Sequence, residues 1–275
     1  FTSRSRGCDA FAFPAPPPSW THAVEHLFSP PLRVTPLEEL ANVRIPGPSH
    51  AEILAYEATP SEYDQKNRDP LPSIILIHEF FGLSPSIVEK ARASSDALNC
   101  RAIAPDTFRG EVTDFVPRAI WLALTTPQDR VNEDLDAVCA YIAKENESVG
   151  SGDGKLAVMG FCYGGGKAIR YTSRRRRDAA TVVFYGSPLT DVDELRRLRA
   201  PVCGAFGSED AQFPRASIDG FRSSLDEAGV ENDVRVYDGV GHAFWSDMEQ
   251  VERGDQPQTA AYEQCTSFLR KFFDA

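Results

Sequence analysis

Short apolar runs alternate with amphipathic stretches along the chain from about residue 40. The runs are bounded by turn residues such as Pro and Gly, which predicts buried β-strands. The stretches between them carry apolar residues at helical spacing, as at Val131, Leu135, Val138 and Ile142, which predicts helices. The predicted strands cover 73–78, 101–105, 155–160, 181–185, 201–206 and 233–237. The predicted helices cover 84–98, 127–144, 214–228 and 257–273, and one further helix follows the glycines at 164–166.

This order of elements predicts the fold class. Strands that are apolar throughout and alternate with helices are typical of a parallel sheet covered by helices on both faces. We therefore expect an α/β fold, in which ligands bind at the carboxyl ends of the strands. With no internal repeat, one domain over 37–275 is the economical interpretation. Residues 1–36 carry seven prolines, which excludes a regular helix or central strand and predicts a proline-rich arm.

The start of the chain and its cysteines bear on the compartment. Phe1–Arg6 is rich in Ser and Arg, and acidic residues are scarce until Glu25. This composition favours the remnant of an organelle transit peptide, with a loose N-terminal arm as the alternative. The six cysteines form no CxxC pair, which favours free thiols in a reducing compartment over the disulfides of a secreted protein. We expect a cytoplasmic or organellar protein.

The charge balance narrows the class of partner. Asp and Glu number 40 against 29 Lys and Arg, so the 275-residue chain carries a net charge of −11. A nucleic-acid binder would need a basic face, and docking on an anionic membrane would need basic residues as well. No apolar run approaches the roughly 20 residues of a membrane span. We expect a small-molecule partner, and a monomer or small homo-oligomer.

The strongest chemical motif is Gly160-Phe161-Cys162-Tyr163-Gly164, between a predicted strand and a predicted helix. It is the nucleophile-elbow pattern G-x-S-x-G with Cys in place of Ser. The tight turn requires residues without side chains two positions from the nucleophile. The helix N-terminus would stabilise a thiolate, and the backbone N–H of Tyr163 could point at a developing oxyanion. A buried Cys in a glycine-rich turn is the alternative interpretation.

A nucleophile elbow needs a base and an acid, in the chain order nucleophile, acid, histidine. His242 is the only histidine downstream of Cys162, and it lies in a glycine-containing loop after a predicted strand. Asp210, in the loop after the strand at 201–206, is the candidate acid, and Glu209 is its nearest competitor. The alternatives are a loop histidine and solvated carboxylates without a catalytic role.

Glu79 follows the apolar run at 73–78. A charged residue at this place is costly unless it is paired or functional. The carboxyl end of the strand aims it at the crevice that holds Cys162, and its loop could supply a second oxyanion N–H, from Phe80. A structural salt bridge is the alternative role for Glu79.

Together these residues resemble the dienelactone hydrolase family of α/β-hydrolases, also called carboxymethylenebutenolidases. The resemblance covers roughly 40–273 and rests on Glu79, the elbow around Cys162, Asp210 and His242. It implies an α/β-hydrolase fold and a Cys162–His242–Asp210 triad, in which Glu79 interacts with the resting cysteine and helps to activate it. It also implies that no metal or organic cofactor is used. The implied reaction is thiolate attack on an ester or lactone carbonyl, which gives an acyl-enzyme that water releases.

The substrate is less determined than the chemistry. Bacterial dienelactone hydrolases hold the substrate carboxylate with two arginines, and Arg109 matches one of them. The place of the other, shortly after His242, reads Phe-Trp-Ser. Two substrate classes therefore stay open: small carboxylated esters or lactones held by Arg109, and the neutral esters of a general thiol esterase. Apolar substrate contacts are expected from Phe81, Phe244 and Trp245.

Two hypotheses outside catalysis also stay open. A non-catalytic module could keep the fold as a ligand pocket, and it predicts an ordinary thiol at Cys162. An interaction protein could use its proline-rich arm, and it predicts that deletion of residues 1–30 abolishes partner binding.

Overall fold

A computed structural model describes residues 35–63, 71–147 and 154–275. The arm predicted for 1–36 lies outside these ranges except for its last two residues. Eight strands are present within the described ranges: β1 (Val43–Pro46), β2 (Glu52–Ala58), β3 (Ser73–Ile77), β4 (Arg101–Pro105), β5 (Leu156–Phe161), β6 (Ala180–Phe184), β7 (Val202–Gly207) and β8 (Asn232–Tyr237).

These strands form one sheet in the order β1-β2-β4-β3-β5-β6-β7-β8. The pairs from β4 to β8 are parallel, whereas β2 pairs antiparallel with both β1 and β4. The predicted α/β fold with a mostly parallel sheet is confirmed, and all six predicted strands are found within one residue at each end. We had not assigned β1 and β2. Residues of β2 alternate between buried and partly exposed, so they lack the continuous apolar run of the inner strands.

The helices occupy both faces of the sheet. In chain order they are α1 (Leu37–Leu40), α2 (Pro85–Leu98), α3 (Val116–Thr125), α4 (Gln128–Glu147), α5 (Tyr163–Arg174), α6 (Val192–Leu195), α7 (Arg215–Ala228), α8 (Met248–Glu252) and α9 (Gln258–Asp274). Successive residues of β3 show the two layers, because neighbouring side chains of a strand point to opposite faces. Ile74 and Leu76 share a core cluster with residues of α2 and α9, whereas Ile75 and Ile77 share one with residues of α4 and α5.

Helix α3 corrects one prediction. The segment between the predicted strand at 101–105 and the predicted helix at 127–144 is rich in turn residues and predicts a loop, yet Val116–Thr125 is helical. The helix buries Ala119 and Leu122 but leaves Ile120, Trp121 and Leu124 exposed. The sequence pattern did not reveal α3 because the helix has only 10 residues and directly follows this turn-rich stretch.

The carboxyl ends of the parallel strands lie at one edge of the sheet, and the loops that follow β3, β5 and β7 begin there. This edge holds the candidate site. Across the described ranges, no helix combines the length and the apolarity that a membrane span would require.

Candidate active site

Cys162 stands between the end of β5 and the start of α5, with φ +52° and ψ −113°. This conformation is rare for residues with a side chain and is typical of strained functional positions. A Cβ on Gly160 would overlap the backbone carbonyl of Gly164, and a Cβ on Gly164 would overlap the carbonyl of Ile77. The two glycines thus allow the close approach of α5, β5 and β3 that the tight turn at the cysteine requires.

The loops after β7 and β8 also approach each other closely. A Cβ on Gly207 would overlap the carbonyl of Val240, and the N–H of Glu209 donates to that carbonyl at 2.9 Å. This approach brings Asp210 beside His242, while the Glu209 side chain is exposed. Of the two candidate acids, the structure therefore brings Asp210 to the histidine.

Cys162, His242 and Asp210 form a continuous chain of contacts. The Nε2 atom of His242 lies 3.0 Å from the Cys162 Sγ, and its Nδ1 atom lies 2.8 Å from Oδ2 of Asp210. The other carboxylate oxygen, Oδ1, accepts the backbone N–H groups of Gln212 at 2.8 Å and Phe213 at 3.1 Å. These two amides hold the buried carboxylate, and the carboxylate in turn orients the imidazole.

The electrostatics of His242 follow from these contacts. Burial alone would lower the pKa of His242, but its hydrogen bonds to Asp210 and Cys162 outweigh burial and raise the pKa to about 10. At neutral pH the ring is then an imidazolium, with both nitrogens as donors. One N–H donates to the carboxylate and the other to the sulfur. Chemically, an imidazolium beside a sulfur can stabilise the thiolate form and can give up a proton.

Glu79 lies just beyond β3 and is half-buried. Its Oε1 atom is 3.2 Å from the hydroxyl of Tyr185, which also lies 3.1 Å from the carbonyl of Trp245. The expected contact between Glu79 and Cys162 is not among the hydrogen bonds of the described residues. Tyr185, which our sequence interpretation missed, is the residue that bonds Glu79. Its place at the carboxyl end of a predicted strand was a signal that could have found it.

The two candidate oxyanion donors are backbone amides in the segments that follow β3 and β5. Tyr163 is the first residue of α5, and Phe80 lies in the turn after β3. Within the described parts of the chain, neither N–H donates to a protein acceptor. The first N–H groups of a helix have no partner within the helix, so the amide of Tyr163 is free to bind an anion.

Of the three aromatic residues predicted to contact the substrate, one is partly exposed and two lie in the core. Phe81 is half-buried and its ring packs at a tilt against that of Phe80, with ring centroids 4.1 Å apart. Phe244 and Trp245 are buried in the core cluster between the sheet, α2 and α9, and only 1% of Trp245 is exposed. The structure therefore does not bring these two to the substrate side. Phe213, which we had not selected, packs its half-buried ring 5.7 Å from the ring of His242.

Arg109 also has a different partner from the one expected. Its Nη2 atom lies 2.6 Å from Oδ1 of Asp134, and its Nε atom lies 3.2 Å from both oxygens of that carboxylate. The Asp134 side chain, on α4, is fully buried. Because an unpaired buried carboxylate is costly, the guanidinium of Arg109 is committed to Asp134, although 27% of the Arg109 side chain is exposed. The sequence around Arg109 does not reveal this partner.

No metal centre is formed in the described ranges, because no three His, Cys, Asp or Glu side chains there are placed to hold an ion.

The sequence is similar to a known protein family and to proteins of other organisms. The sequence model of the "Dienelactone hydrolase family" matches residues 54–273. A protein of Escherichia coli (strain K12) named "Putative carboxymethylenebutenolidase" is 28% identical over 231 residues, which cover 76% of this chain and 83% of that protein. A protein of the same name from Methylorubrum extorquens is 30% identical over 221 residues, covering 75% of this chain and 72% of its own.

A solved structure gives the same answer at the level of the fold. The crystal structure of a protein of Klebsiella pneumoniae subsp. pneumoniae, named "Putative Dienelactone Hydrolase", superposes with a TM-score of 0.68 at 26% sequence identity. The superposition covers 82% of this chain and 95% of that chain.

Proposed function

This chain belongs to the dienelactone hydrolase family, and from that premise we propose that it hydrolyses small esters or lactones through an acyl-enzyme on Cys162. The observation that carries the proposal is the unbroken chain from sulfur to imidazole to carboxylate, with separations of 3.0 Å and 2.8 Å. Nucleophile and base lie within hydrogen-bond reach and a third group orients the base, which is the arrangement that nucleophilic catalysis requires.

The first half-reaction forms the acyl-enzyme. The sulfur of Cys162 attacks the substrate carbonyl carbon, and the carbonyl electrons move to oxygen. The N–H groups of Phe80 and Tyr163 donate to that oxyanion. When the carbonyl reforms, the bond to the leaving oxygen breaks, and His242 gives its Nε2 proton to that oxygen. The products of this step are a thioester on Cys162 and an alcohol, an enol or the opened lactone.

The second half-reaction regenerates the enzyme. His242, now neutral, takes a proton from a water molecule as the resulting hydroxide attacks the thioester carbon. The carbon–sulfur bond then breaks with its electron pair going to sulfur, the acid product leaves, and the thiolate–imidazolium pair is restored. Asp210 keeps the histidine in the tautomer and orientation that both steps need.

The cysteine nucleophile favours esters and lactones over amides. In the tetrahedral intermediate the thiolate competes with the substrate's own leaving group. A thiolate leaves more easily than an amide nitrogen, whereas an enol or activated ester oxygen leaves readily. Substrates with a good oxygen leaving group therefore suit Cys162.

Two substrate classes remain: carboxylated lactones and neutral esters. One observation favours neutral esters. A carboxylated lactone would need a free cation near the nucleophile. Arg109 is instead bonded to the buried Asp134. The pairing supports neutral esters as substrates and a general thiol esterase activity.

The test compares wild type, Cys162→Ala and Cys100→Ala on p-nitrophenyl acetate and on dienelactone. Cys100 is the matched control, because burial raises its pKa to about 12 and keeps its thiol protonated. We expect wild type and Cys100→Ala to hydrolyse p-nitrophenyl acetate. During that reaction both proteins should gain the mass of one acetyl group on Cys162. Cys162→Ala should do neither. Equal turnover by Cys162→Ala would contradict the proposal, and a faster reaction with dienelactone would return the preference to carboxylated substrates.

A further inference from the structure

A second histidine lies beside the site and is not used by the mechanism above. His78 follows β3 directly and is fully buried. Its Nδ1 atom lies 2.7 Å from the carbonyl oxygen of Glu79. Its Nε2 atom lies 3.1 Å from the backbone nitrogen and 2.9 Å from the hydroxyl of Thr107. One ring thus joins the loop after β3 to the loop after β4.

These contacts determine the protonation of His78. The backbone N–H of Thr107 can only donate, so Nε2 must accept and carries no proton. The ring proton is then on Nδ1, from which it donates to the carbonyl of Glu79. Burial lowers the pKa of His78 more than the nearby Asp106 carboxylate raises it, which agrees with a neutral ring. His78 is therefore a fixed tautomer and not a second general base.

The carbonyl that His78 holds belongs to the same peptide unit as the N–H of Phe80. That unit is planar and trans, so its C=O and N–H groups point in opposite directions. The N–H of Gly82 also donates to the Glu79 carbonyl, at 3.2 Å. With two donors on its oxygen, the peptide cannot rotate without losing both, and the direction of the Phe80 N–H is set.

The other end of the connection is rigid. Thr107 lies in a turn held by Asp106, whose buried carboxylate accepts the N–H of Phe108 at 2.9 Å and that of Gly110 at 2.5 Å. The Phe108 ring packs edge-on against His78, at 4.7 Å between centroids. The orientation of the imidazole is thus fixed by hydrogen bonds at both nitrogens and by packing against Phe108.

We propose that His78 is a positioning residue: through the Glu79 carbonyl it aims the Phe80 N–H at the oxyanion formed on Cys162. This inference rests on the proposed hydrolase function. His78 touches neither the substrate nor the sulfur, and its effect appears only when negative charge develops on the carbonyl oxygen.

Three substitutions separate the two ends of the ring. In His78→Asn the amide nitrogen replaces Nδ1 and keeps the bond to Glu79. In His78→Gln the longer side chain reaches the place of Nε2 and keeps the bond to Thr107. In His78→Phe the shape is kept and both bonds are lost.

Two reactions of the same sulfur then provide the readout. Hydrolysis of p-nitrophenyl acetate passes through an oxyanion, whereas alkylation of Cys162 by iodoacetamide does not. We expect His78→Gln and His78→Phe to lose up to about 100- to 1000-fold in kcat, the range for complete loss of one oxyanion donor. Their KM values and alkylation rates should change little, and His78→Asn should keep most of the wild-type kcat.

Each other outcome overturns the inference. Wild-type kcat in both His78→Gln and His78→Phe shows that the peptide needs no support from the ring. A parallel loss of kcat and of alkylation shows that His78 maintains the fold or the triad instead. Should His78→Phe fail to fold, His78→Gln decides, because it retains the Thr107 bond. Failure of the wild type to hydrolyse any ester, with Cys162 alkylated as an ordinary thiol, identifies the proposed function itself as the error.

Discussion

Two histidine–aspartate pairs lie at the carboxyl edge of the sheet, and they behave in opposite ways. His242 contacts Asp210 at 2.8 Å, and its pKa is raised to about 10. His78 lies 3.7 Å from Asp106, and burial lowers its pKa. Both carboxylates are buried and both histidines follow strands, so neither feature separates a base from a structural ring.

The difference lies in the other partners of each pair. Both oxygens of Asp106 accept backbone N–H groups, from Phe108 and Gly110. Asp210 gives one oxygen to backbone amides and keeps the other for His242. The Nε2 atom of His78, which is also its nitrogen nearest Asp106, accepts the backbone N–H of Thr107, and this requires a neutral ring. In His242, Nδ1 faces the aspartate and Nε2 faces sulfur. The donors and acceptors around a histidine, and not its nearest carboxylate, decide whether it can transfer a proton.

The largest expected effect is a loss of kcat on substitution of His242, the histidine of the first pair. Substituting His242→Gln removes the proposed proton carrier of both half-reactions, so kcat for p-nitrophenyl acetate should fall about 10⁴-fold or more. The matched control is His50→Gln, at an exposed histidine away from the site, which should keep the wild-type rate. A loss of less than tenfold would place the base elsewhere.

The next effect compares the two aspartates directly. Asp210→Asn should lower kcat by about 10²- to 10⁴-fold, because the amide no longer stabilises the imidazolium or selects its tautomer. Asp106→Asn should instead lower the free energy of unfolding by about 1–3 kcal/mol, since one buried backbone amide loses its acceptor. For both variants, steady-state kinetics measures kcat and urea denaturation measures the free energy of unfolding. Equal losses of kcat would show that the two pairs do not differ in role.

Sequence reasoning reached one of these pairs and not the other, for a physical reason. The elbow around Cys162 is a local constraint, since the glycines at 160 and 164 must lack side chains where backbones touch. The order of acid and histidine then selects Asp210 and His242. His78 bonds Thr107 and Tyr185 bonds Glu79, and each partner lies in the loop after a different strand, so no spacing in the chain encodes these bonds.

The same reason explains why the predicted role of Arg109 could not be decided from its motif. The Pro-Asp-Thr-Phe-Arg segment is a loop with the right composition, yet the direction of the guanidinium depends on a carboxylate in α4, 25 residues further on. Burial of Asp134 decides that direction. Because Asp134 lies on a separate helix, the residues around Arg109 do not indicate that this buried carboxylate is its partner.

A smaller effect distinguishes the two histidines by the pH dependence of stability. The raised pKa of His242 stabilises the folded protein fully below about pH 6.5. That contribution is lost as pH rises through about 10, by at most about 1.4 kcal/mol for each pH unit. The lowered pKa of His78 has the opposite sign, because below about pH 6.5 the unfolded chain binds a proton that the folded protein does not.

Urea denaturation between pH 5 and pH 10 measures both contributions as differences from variants. The stability advantage of wild type over His242→Gln should shrink from pH 6.5 to pH 10. The advantage of wild type over His78→Asn should shrink as pH falls below 6.5. Two differences that move in the same direction with pH would show that one ring has been assigned the wrong charge.

The smallest expected effect on catalysis concerns Arg109, in the loop on the His78 side. Because its guanidinium is bonded to Asp134, Arg109→Ala should change the kcat/KM ratio between p-nitrophenyl hemisuccinate and p-nitrophenyl acetate by less than about twofold, or 0.4 kcal/mol. It should also lower the free energy of unfolding by about 1–3 kcal/mol, since the buried Asp134 loses its partner. The control Arg215→Ala breaks an exposed pair with Asp219 and should cost about 0.5 kcal/mol at most. A selective loss of kcat/KM on the carboxylated ester would instead mean that Arg109 exchanges Asp134 for the substrate. The charges on the His78 side would then bind substrate, just as those around His242 are proposed to act in catalysis.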